Sequence, residues 1–381
     1  MDFQGSNVQN AIYVTGEPPA AVAAEDWEAL ARERLPGPAF DYVAGGAGSE
    51  STMRANLEAF DRRRIRPRML TSNAERELSV EVLGTRSPAP FFLAPIGVLS
   101  IVHPDAELAV ARAAAATGVP MILSSAASSS IEDVAAANGD GPRWFQLYWW
   151  NDFDLAASLV ARAEEAGYRA IVVTLDTLTL GWRPRDLRNA YLPFLGGEGI
   201  AQFTSDPLFR AKLEKPPEED VATAAITALM TFPNLALAWS DLEWLRGRTE
   251  LPIVLKGILT AEDARLAREH GVDGVVVSNH GGRQVDGAVA ALEALVEVRD
   301  ELGPEATVLM DSGIRRGPDV LKALALGADA VLLGRPYVYG LAAAGQEGVE
   351  TVIRHLLAET DLTLALAGGN SVRTLDRSFV T

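Results

Sequence analysis

The chain holds only four histidines, His103, His270, His280 and His355. His103 precedes a proline near a helix start, and His270 and His355 read as helix-surface residues, so these three are expected to be structural. His280 stands in Ser278-Asn-His-Gly-Gly-Arg283, at the polar end of the apolar run Gly274–Asn279. Imidazole titrates near neutral pH, which makes His280 the natural proton acceptor. Other apolar runs also end in polar groups: Gln146-Leu-Tyr148, Thr174-Leu-Asp176 followed by Gly181-Trp-Arg183, Lys256-Gly257, Asp311-Ser-Gly313-Ile-Arg315 and Gly334-Arg335. Asp176 is suited to orient the His280 imidazole and to favour its protonated form. Arg183 and Arg283 suit bidentate pairing with a substrate carboxylate. Lys256 offers a fixed positive charge for anionic charge developing on a cofactor ring. Glycines at 313 and 334 let backbone N–H groups approach a phosphate, with Arg315 and Arg335 to pair its oxygens. A Gly-x-Gly-x-x-Gly dinucleotide loop is absent.

These residues need a frame. The apolar runs are Phe91–Gly97, Pro120–Ser125, Trp144–Trp149, Ala170–Asp176, Pro252–Gly257, Gly274–Asn279, Thr307–Asp311 and Ala330–Gly334. Helical periodicity fills most gaps: Ala106–Thr117, Phe153–Ala166, Ala261–His270, Val289–Leu302 and Pro318–Leu326. Runs apolar on both faces suit parallel strands covered by helices. Eight such units in succession predict an α/β fold, a (β/α)8 TIM barrel, in which polar residues at strand C-termini carry function. A weak repeat agrees: Ala166-Gly-Tyr-Arg-Ala-Ile-Val-Val173, His270-Gly-Val-Asp-Gly-Val-Val-Val277 and Leu326-Gly-Ala-Asp-Ala-Val-Leu-Leu333 each stop a helix at glycine and enter a buried strand. We expect one domain: an N-terminal extension over 1–89, a barrel over 90–345 and a C-terminal helical segment over 346–381. The extension holds helices at Glu25–Arg34 and Thr52–Asp61 and a hairpin near Leu78–Val82. Residues 177–240 are far longer than an ordinary βα connection and are expected to form a lid over the strand ends, with Lys212–Asp220 as a solvated or mobile stretch.

Composition excludes several classes. The 381 residues carry 34 Lys plus Arg against 51 Asp plus Glu, a net charge of −17, which disfavours nucleic acid or an anionic membrane as partner. Without cysteine there is no disulfide, thiolate nucleophile or Cys-ligated metal, and the scattered histidines make a metal site improbable. The first basic residue is Arg32, so neither a secretory signal nor a transit peptide is expected, and a cytoplasmic location is.

Ser278-Asn-His-Gly-Gly-Arg283, Asp311-Ser-Gly-Ile-Arg-Arg-Gly317 and Gly334-Arg-Pro336 together resemble the FMN-dependent α-hydroxy-acid oxidase family. The resemblance runs from Phe40-Asp-Tyr-Val-Ala-Gly-Gly46 through Arg66-Pro-Arg68, Ala94-Pro95, Gln146-Leu-Tyr148, Leu175-Asp176 and Leu255-Lys-Gly257. It implies FMN as cofactor, with the main chain of Ala94, Pro95, Ile96 and Gly97 against the flavin and Ser124, Gln146, Thr174, Lys256 and Ser278 around its ring. Asp311, Gly313, Arg315, Gly334 and Arg335 would hold the ribityl phosphate. Tyr42, Tyr148, Arg183 and Arg283 would bind substrate, beside Gly97 and Ala126, and His280 paired with Asp176 would be the base. Gly97 and Ala126 are small where relatives carry larger residues, which implies a roomy pocket. The implied reaction is oxidation of an (S)-2-hydroxy acid to the 2-oxo acid with O2. Within the family, Gly181-Trp-Arg-Pro-Arg-Asp-Leu187, Leu192-Pro-Phe-Leu195 and Ser205-Asp-Pro-Leu-Phe209, with Ala11-Ile-Tyr13 and Asp26-Trp27, resemble the lactate 2-monooxygenases, which implies oxidative decarboxylation in the site. The alternatives are a simple oxidase releasing H2O2 and a non-catalytic FMN-binding barrel. A homotetramer or homo-octamer is implied as well.

Overall fold

A computed structural model describes residues 5–16 and 18–381. Eight parallel strands close into a barrel. They are β1 (Phe91–Leu93), β2 (Met121–Ser124), β3 (Arg143–Tyr148), β4 (Ile171–Thr174), β5 (Ile253–Ile258), β6 (Gly274–Val277), β7 (Thr307–Met310) and β8 (Ala330–Leu333). Closure comes from β8 pairing with β1, in the register Val331↔Phe91 to Leu333↔Leu93. Each strand falls within an apolar run expected from the sequence, give or take a residue, and β2, β4, β6 and β8 are buried throughout. Core side chains on one face and helix contacts on the other leave no solvated face, which is why the runs lack polar alternation.

Helices at Ala106–Thr117, Phe153–Glu165, Ala261–Glu269, Ala291–Leu302 and Gly317–Ala325 follow the expected segments closely. Another, Ile131–Asn138, covers the β2–β3 gap and was not anticipated. Its eight residues span little more than two turns, too short for a periodicity to stand out. The repeated motif has a structural cause. Gly167, Gly271 and Gly327 all adopt positive φ where a helix turns back toward a strand. In two copies the aspartate that follows caps the neighbouring strand: Asp273 accepts from Ile253 N and Asp329 from Val308 N, both at 2.8 Å.

The extension contains the two expected helices, as Ala24–Arg34 and Ser51–Arg62, and two unexpected ones, Gly5–Thr15 and Gly37–Ala44. Its hairpin, Val80–Val82 with Thr85–Ser87, lies against the N-terminal end of β3, where Trp144 Nε1 donates to Thr85 Oγ1 at 2.9 Å. The chain after β8 is a helical run, Arg335–Leu366, broken at Ala344 and Gly345 where φ and ψ leave the helical region. The insertion carries short helices at Pro184–Arg188, Ala201–Thr204 and Pro207–Arg210 and a longer one at Val221–Thr231. Within it, Lys212–Asp220 is a mostly exposed stretch without regular structure, tethered by Arg210–Glu218 and Lys212–Asp152 ion pairs. Among the described residues no helix is long and apolar enough to cross a membrane.

Asp361, fully buried on the C-terminal helix, ties the extension down. It accepts from Arg76 at 2.6 and 2.8 Å and from Gly5 N at 2.7 Å. Removing one partner of a buried pair leaves an uncompensated charge, so Asp361→Ala should lower stability in urea unfolding by roughly 3–5 kcal/mol; a loss below about 1 kcal/mol would show that the extension is held elsewhere.

Candidate active site

The C-terminal ends of the strands converge on one cleft with about 1130 Å³ of empty space, including its open mouth. Its floor is built around Lys256 at the end of β5. The ammonium donates to Ser278 Oγ at 3.0 Å and lies 3.3 Å from Asp311 and 3.9 Å from Asp176. Burial works against its charge, but Asp311 and Asp176 more than offset this, so Lys256 is held above its ordinary pKa and stays protonated. Burial likewise opposes ionisation of Asp176, yet Lys256 and His280 pull its pKa down to about 2.

Asp176 Oδ1 lies 2.8 Å from His280 Nδ1, and Thr177 Oγ1 is within 3.0 Å of that oxygen and 3.1 Å of the imidazole nitrogen. An anionic Asp176 can only accept, so Nδ1 carries the proton and Nε2 keeps a free lone pair. Burial lowers the His280 pKa despite Asp176. Asp176 does favour the protonated imidazole, as expected, but desolvation, joined by the Lys256 and Arg183 charges, outweighs it, and the resting ring is neutral.

The loop carrying His280 is strained. His280 has φ 57°, and Ser312 and Val98, on the loops after β7 and β1, have φ 75° and 62°. Such angles are uncommon for any residue but glycine, most of all for the β-branched Val98, and surrounding contacts must impose them. For His280 those contacts are its own N–H to Ser278 Oγ at 3.0 Å, Gly281 N to Ser312 Oγ at 2.9 Å and Gly282 N to Asn279 Oδ1 at 3.1 Å. Asn279 is itself clasped by Asn56 of the extension through reciprocal amide bonds of 2.7 and 2.9 Å.

Arg183 and Arg283 both line the cleft, with Tyr42 and Tyr148. Arg283 donates to the carbonyls of Tyr42 and Gly45 and lies over the Tyr42 ring. Burial first, then Arg183 and Arg335, lower its pKa, a mutual repulsion that an anionic ligand would relieve. Burial raises the Tyr148 hydroxyl to about 12, so it remains a donor. Arg183 is oriented by Gln284, whose Oε1 accepts from Arg183 Nη2 at 2.7 Å and Gly181 N at 3.4 Å. The Gln284 amide nitrogen donates to Asp176 O and Thr179 O at 3.0 and 2.9 Å. One amide thus spends its full capacity joining the loops after β4 and β6.

The remaining expected residues surround the same space. Ala94, Pro95, Ile96, Gly97, Ala126, Asp311, Gly313, Arg315, Gly334 and Arg335 line it, while Ser124, Gln146, Thr174 and Ser278 are buried at the strand ends beneath. Gln146 Nε2 is a buried donor without a partner in the protein, although its Oε1 accepts from Ser124 Oγ at 3.1 Å. That unpaired N–H fits a carbonyl or ring-nitrogen acceptor of a planar heterocycle. Gly334 caps the helix starting at Arg335, and a Cβ there would meet only Ile96 Cδ1 at 3.7 Å, which leaves the helix N-terminus open to an anion. Both features suit a flavin with its phosphate at β7 and β8. Arg335 donates to the carbonyls of Val43 and Gly45 in the extension and of Gly281 in the loop after β6, which engages three of its five N–H and leaves two for a ligand. A Cβ on Gly97 would stand 2.4 Å from Ala126 O, so this glycine is required by the close backbone approach and does not widen the pocket. His355, expected on a helix surface, is half-buried against Trp27 with its Nδ1 unpartnered; His103 and His270 lie away from the cleft, as expected.

Sequence reasoning missed Thr177, Gln284, Asn56 and the cleft residues Phe194 and Phe232. Thr177 and Gln284 flank singled-out motifs, which was the available signal. Asn56 lies 223 residues from its partner, and nothing local marks it.

The chain has extensive relatives. Residues 31–381 match the family model described as FMN-dependent dehydrogenase. An FMN-dependent alpha-hydroxy acid dehydrogenase qulF of Penicillium citrinum is 48% identical over 92% of this chain and 88% of that protein. An L-lactate oxidase of Lysinibacillus sphaericus is 42% identical over 95% and 93%. Among solved structures, mandelate oxidase with (S)-4-hydroxymandelic acid superposes with a TM-score of 0.85 at 42% identity, covering 95% of this chain and 98% of that one. A closed eightfold barrel, a flavin-shaped set of donors at its C-terminal face and a family match over residues 31–381 together make this chain a member of the FMN-dependent dehydrogenase family, with FMN as its cofactor.

Proposed function

We propose that this protein oxidises an (S)-2-hydroxy acid to the corresponding 2-oxo acid with O2 as acceptor. The observation that carries the reading is the His280–Asp176 pair at 2.8 Å, opening on a cleft that also holds Arg183, Arg283, Tyr42 and Tyr148. In balance, RCH(OH)COO⁻ and O2 give RC(O)COO⁻ and H2O2, two electrons and two protons moving in all. FMN, when bound, would supply a two-electron acceptor beside the substrate. Gln146, Ser124, Thr174, Ser278 and Lys256 would hold its ring beside the main chain of Ala94–Gly97, and Asp311, Gly313, Arg315, Gly334 and Arg335 its ribityl phosphate.

The protein's own part follows from its charges. Arg183 and Arg283 clamp the substrate carboxylate, which fixes the α-carbon and its hydroxyl beside His280. His280 takes a proton at Nε2, and Asp176 stabilises the imidazolium formed without itself being protonated. Tyr42 and Tyr148 hydrogen-bond the substrate oxygens. Lys256 supplies a fixed positive charge where negative charge develops. Names of relatives support the substrate class: an alpha-hydroxy acid dehydrogenase, an L-lactate oxidase and a 2-Hydroxyacid oxidase 1 of Homo sapiens.

A finer reading is that product is retained long enough to be decarboxylated, with pyruvate and H2O2 giving acetate, CO2 and water. One feature favours it: the insertion acts as a lid, lining the cleft with Leu180, Phe194 and Phe232 and pinned to the strand-end loops. Glu198 of the lid pairs with Ser100, and Gly199 N donates to Ser128 Oγ at 3.1 Å. A closed lid keeps reactive products together and water out. The assembly is a homotetramer or homo-octamer in this reading.

Anaerobic addition of L-lactate should bleach the flavin band, and His280→Ala should slow this reduction by ~10²–10⁴-fold while FMN stays bound; near-normal reduction would remove His280 from its role. Because burial lowers the His280 pKa and the neutral ring is the base, kcat/KM should be lost as pH falls through a midpoint below the ordinary 6.5; a midpoint above that would show that Asp176 outweighs burial. Aerobic turnover of lactate with catalase present should give acetate and CO2 in excess of pyruvate; stoichiometric pyruvate would identify a simple oxidase.

A further inference from the structure

Beside the main cleft lies a second chamber, with about 390 Å³ of empty space including its mouth. Ala126, Tyr148, Leu180, Phe194 and Phe232 belong to both walls and frame the doorway, with Ala126 its smallest side chain; beyond them stand Trp150, Phe203, Ala228 and Leu229. No charged side chain lines it, and the Tyr148 hydroxyl and the Trp150 indole N–H are the polar groups its side chains contribute. The walls are firm: Trp150 stacks on Phe203 with ring centroids 4.1 Å apart. Most of the lining comes from the insertion, with Ala228 on the helix Val221–Thr231.

An apolar chamber opening directly off a site for a charged carboxylate has a chemical consequence. A hydroxy acid anchored by its carboxylate has one remaining substituent on the α-carbon, and at Ala126 no bulky side chain bars that substituent from the chamber. Hydrogen or methyl is too short to fill it. A second carboxylate would be desolvated there without a partner. From this, and resting on the reaction proposed above, we infer that the chamber is the side-chain subsite and that the substrate class is 2-hydroxy acids with an uncharged branched or aromatic side chain. Each additional buried methylene should raise kcat/KM by roughly fourfold until the chamber is full.

The test compares kcat/KM for glycolate, lactate, 2-hydroxyisocaproate, 3-phenyllactate and malate. 2-Hydroxyisocaproate and 3-phenyllactate should exceed lactate by about tenfold or more, and malate should fall below it. Ala228→Phe and, separately, Leu229→Trp should reduce the 3-phenyllactate to glycolate ratio by about tenfold, with flavin content reporting that each variant folds. Calorimetry with the non-reacting 3-phenylpropanoate gives a readout without turnover: binding with a negative heat-capacity change in the parent, weakened in both variants. Large substrates no better than lactate, or variants that slow both substrates in proportion, would overturn the subsite. If no 2-hydroxy acid reduces the flavin, the reaction proposed above fails, and the calorimetry still decides the chamber.

Discussion

A single buried ammonium organises this structure. Lys256 is set by β5 at the barrel axis, where it meets Asp311 from the end of β7 and Asp176 from the end of β4. In a medium of low polarity an isolated charge there would be forced to neutralise. Two carboxylates prevent that, and each then serves a second group. Asp176 binds the imidazole of His280, and Asp311 accepts from Ser312, whose hydroxyl receives Gly281 N. His280, its partner Asp176 and the loop that presents the imidazole thus hang on one cation. Removing that cation would leave Asp176 and Asp311 as buried carboxylates without the charge that both of them pair with.

The same network accounts for the strain. Three non-glycine residues with positive φ, Val98, His280 and Ser312, sit on strand-end loops around the cleft. Such conformations cost of order 1–3 kcal/mol each and persist only where contacts over-determine them. For His280 the determination reaches into the N-terminal extension through Asn279 and Asn56. The extension is therefore part of the site. It also supplies Tyr42, and it receives the Arg283 and Arg335 guanidiniums on its carbonyls, which keeps several cations close together until an anion arrives.

The insertion has a different role. The root of the insertion brings Thr177 and Arg183 to the polar side of the cleft, and the rest of it contributes apolar groups, Leu180, Phe194 and Phe232, and most of the adjoining chamber. Gln284 is the joint between insertion and barrel, since its amide holds Arg183 and the root of the insertion to the loop that carries His280.

The sequence alone determined the barrel and the chemical inventory. Buried parallel strands must be apolar on both faces, and the polar residues that end them have no structural reason to be there, so β1 to β8 and the set His280, Asp176, Lys256, Arg183 and Arg283 were legible from pattern. Tertiary structure decided what depends on distance across the fold. The neutrality of His280 follows from burial outweighing Asp176, a balance that no local pattern records. Asn56 meets Asn279 across 223 residues, and the Arg335 fork turns to main-chain carbonyls of the extension. Gly97 was read as room for substrate, but its missing side chain makes way for the Ala126 backbone. Composition and spacing report which groups a chain owns and which faces are apolar; desolvation, charge repulsion and steric exclusion act between residues remote in sequence, so their outcome exists only once the chain has closed on itself.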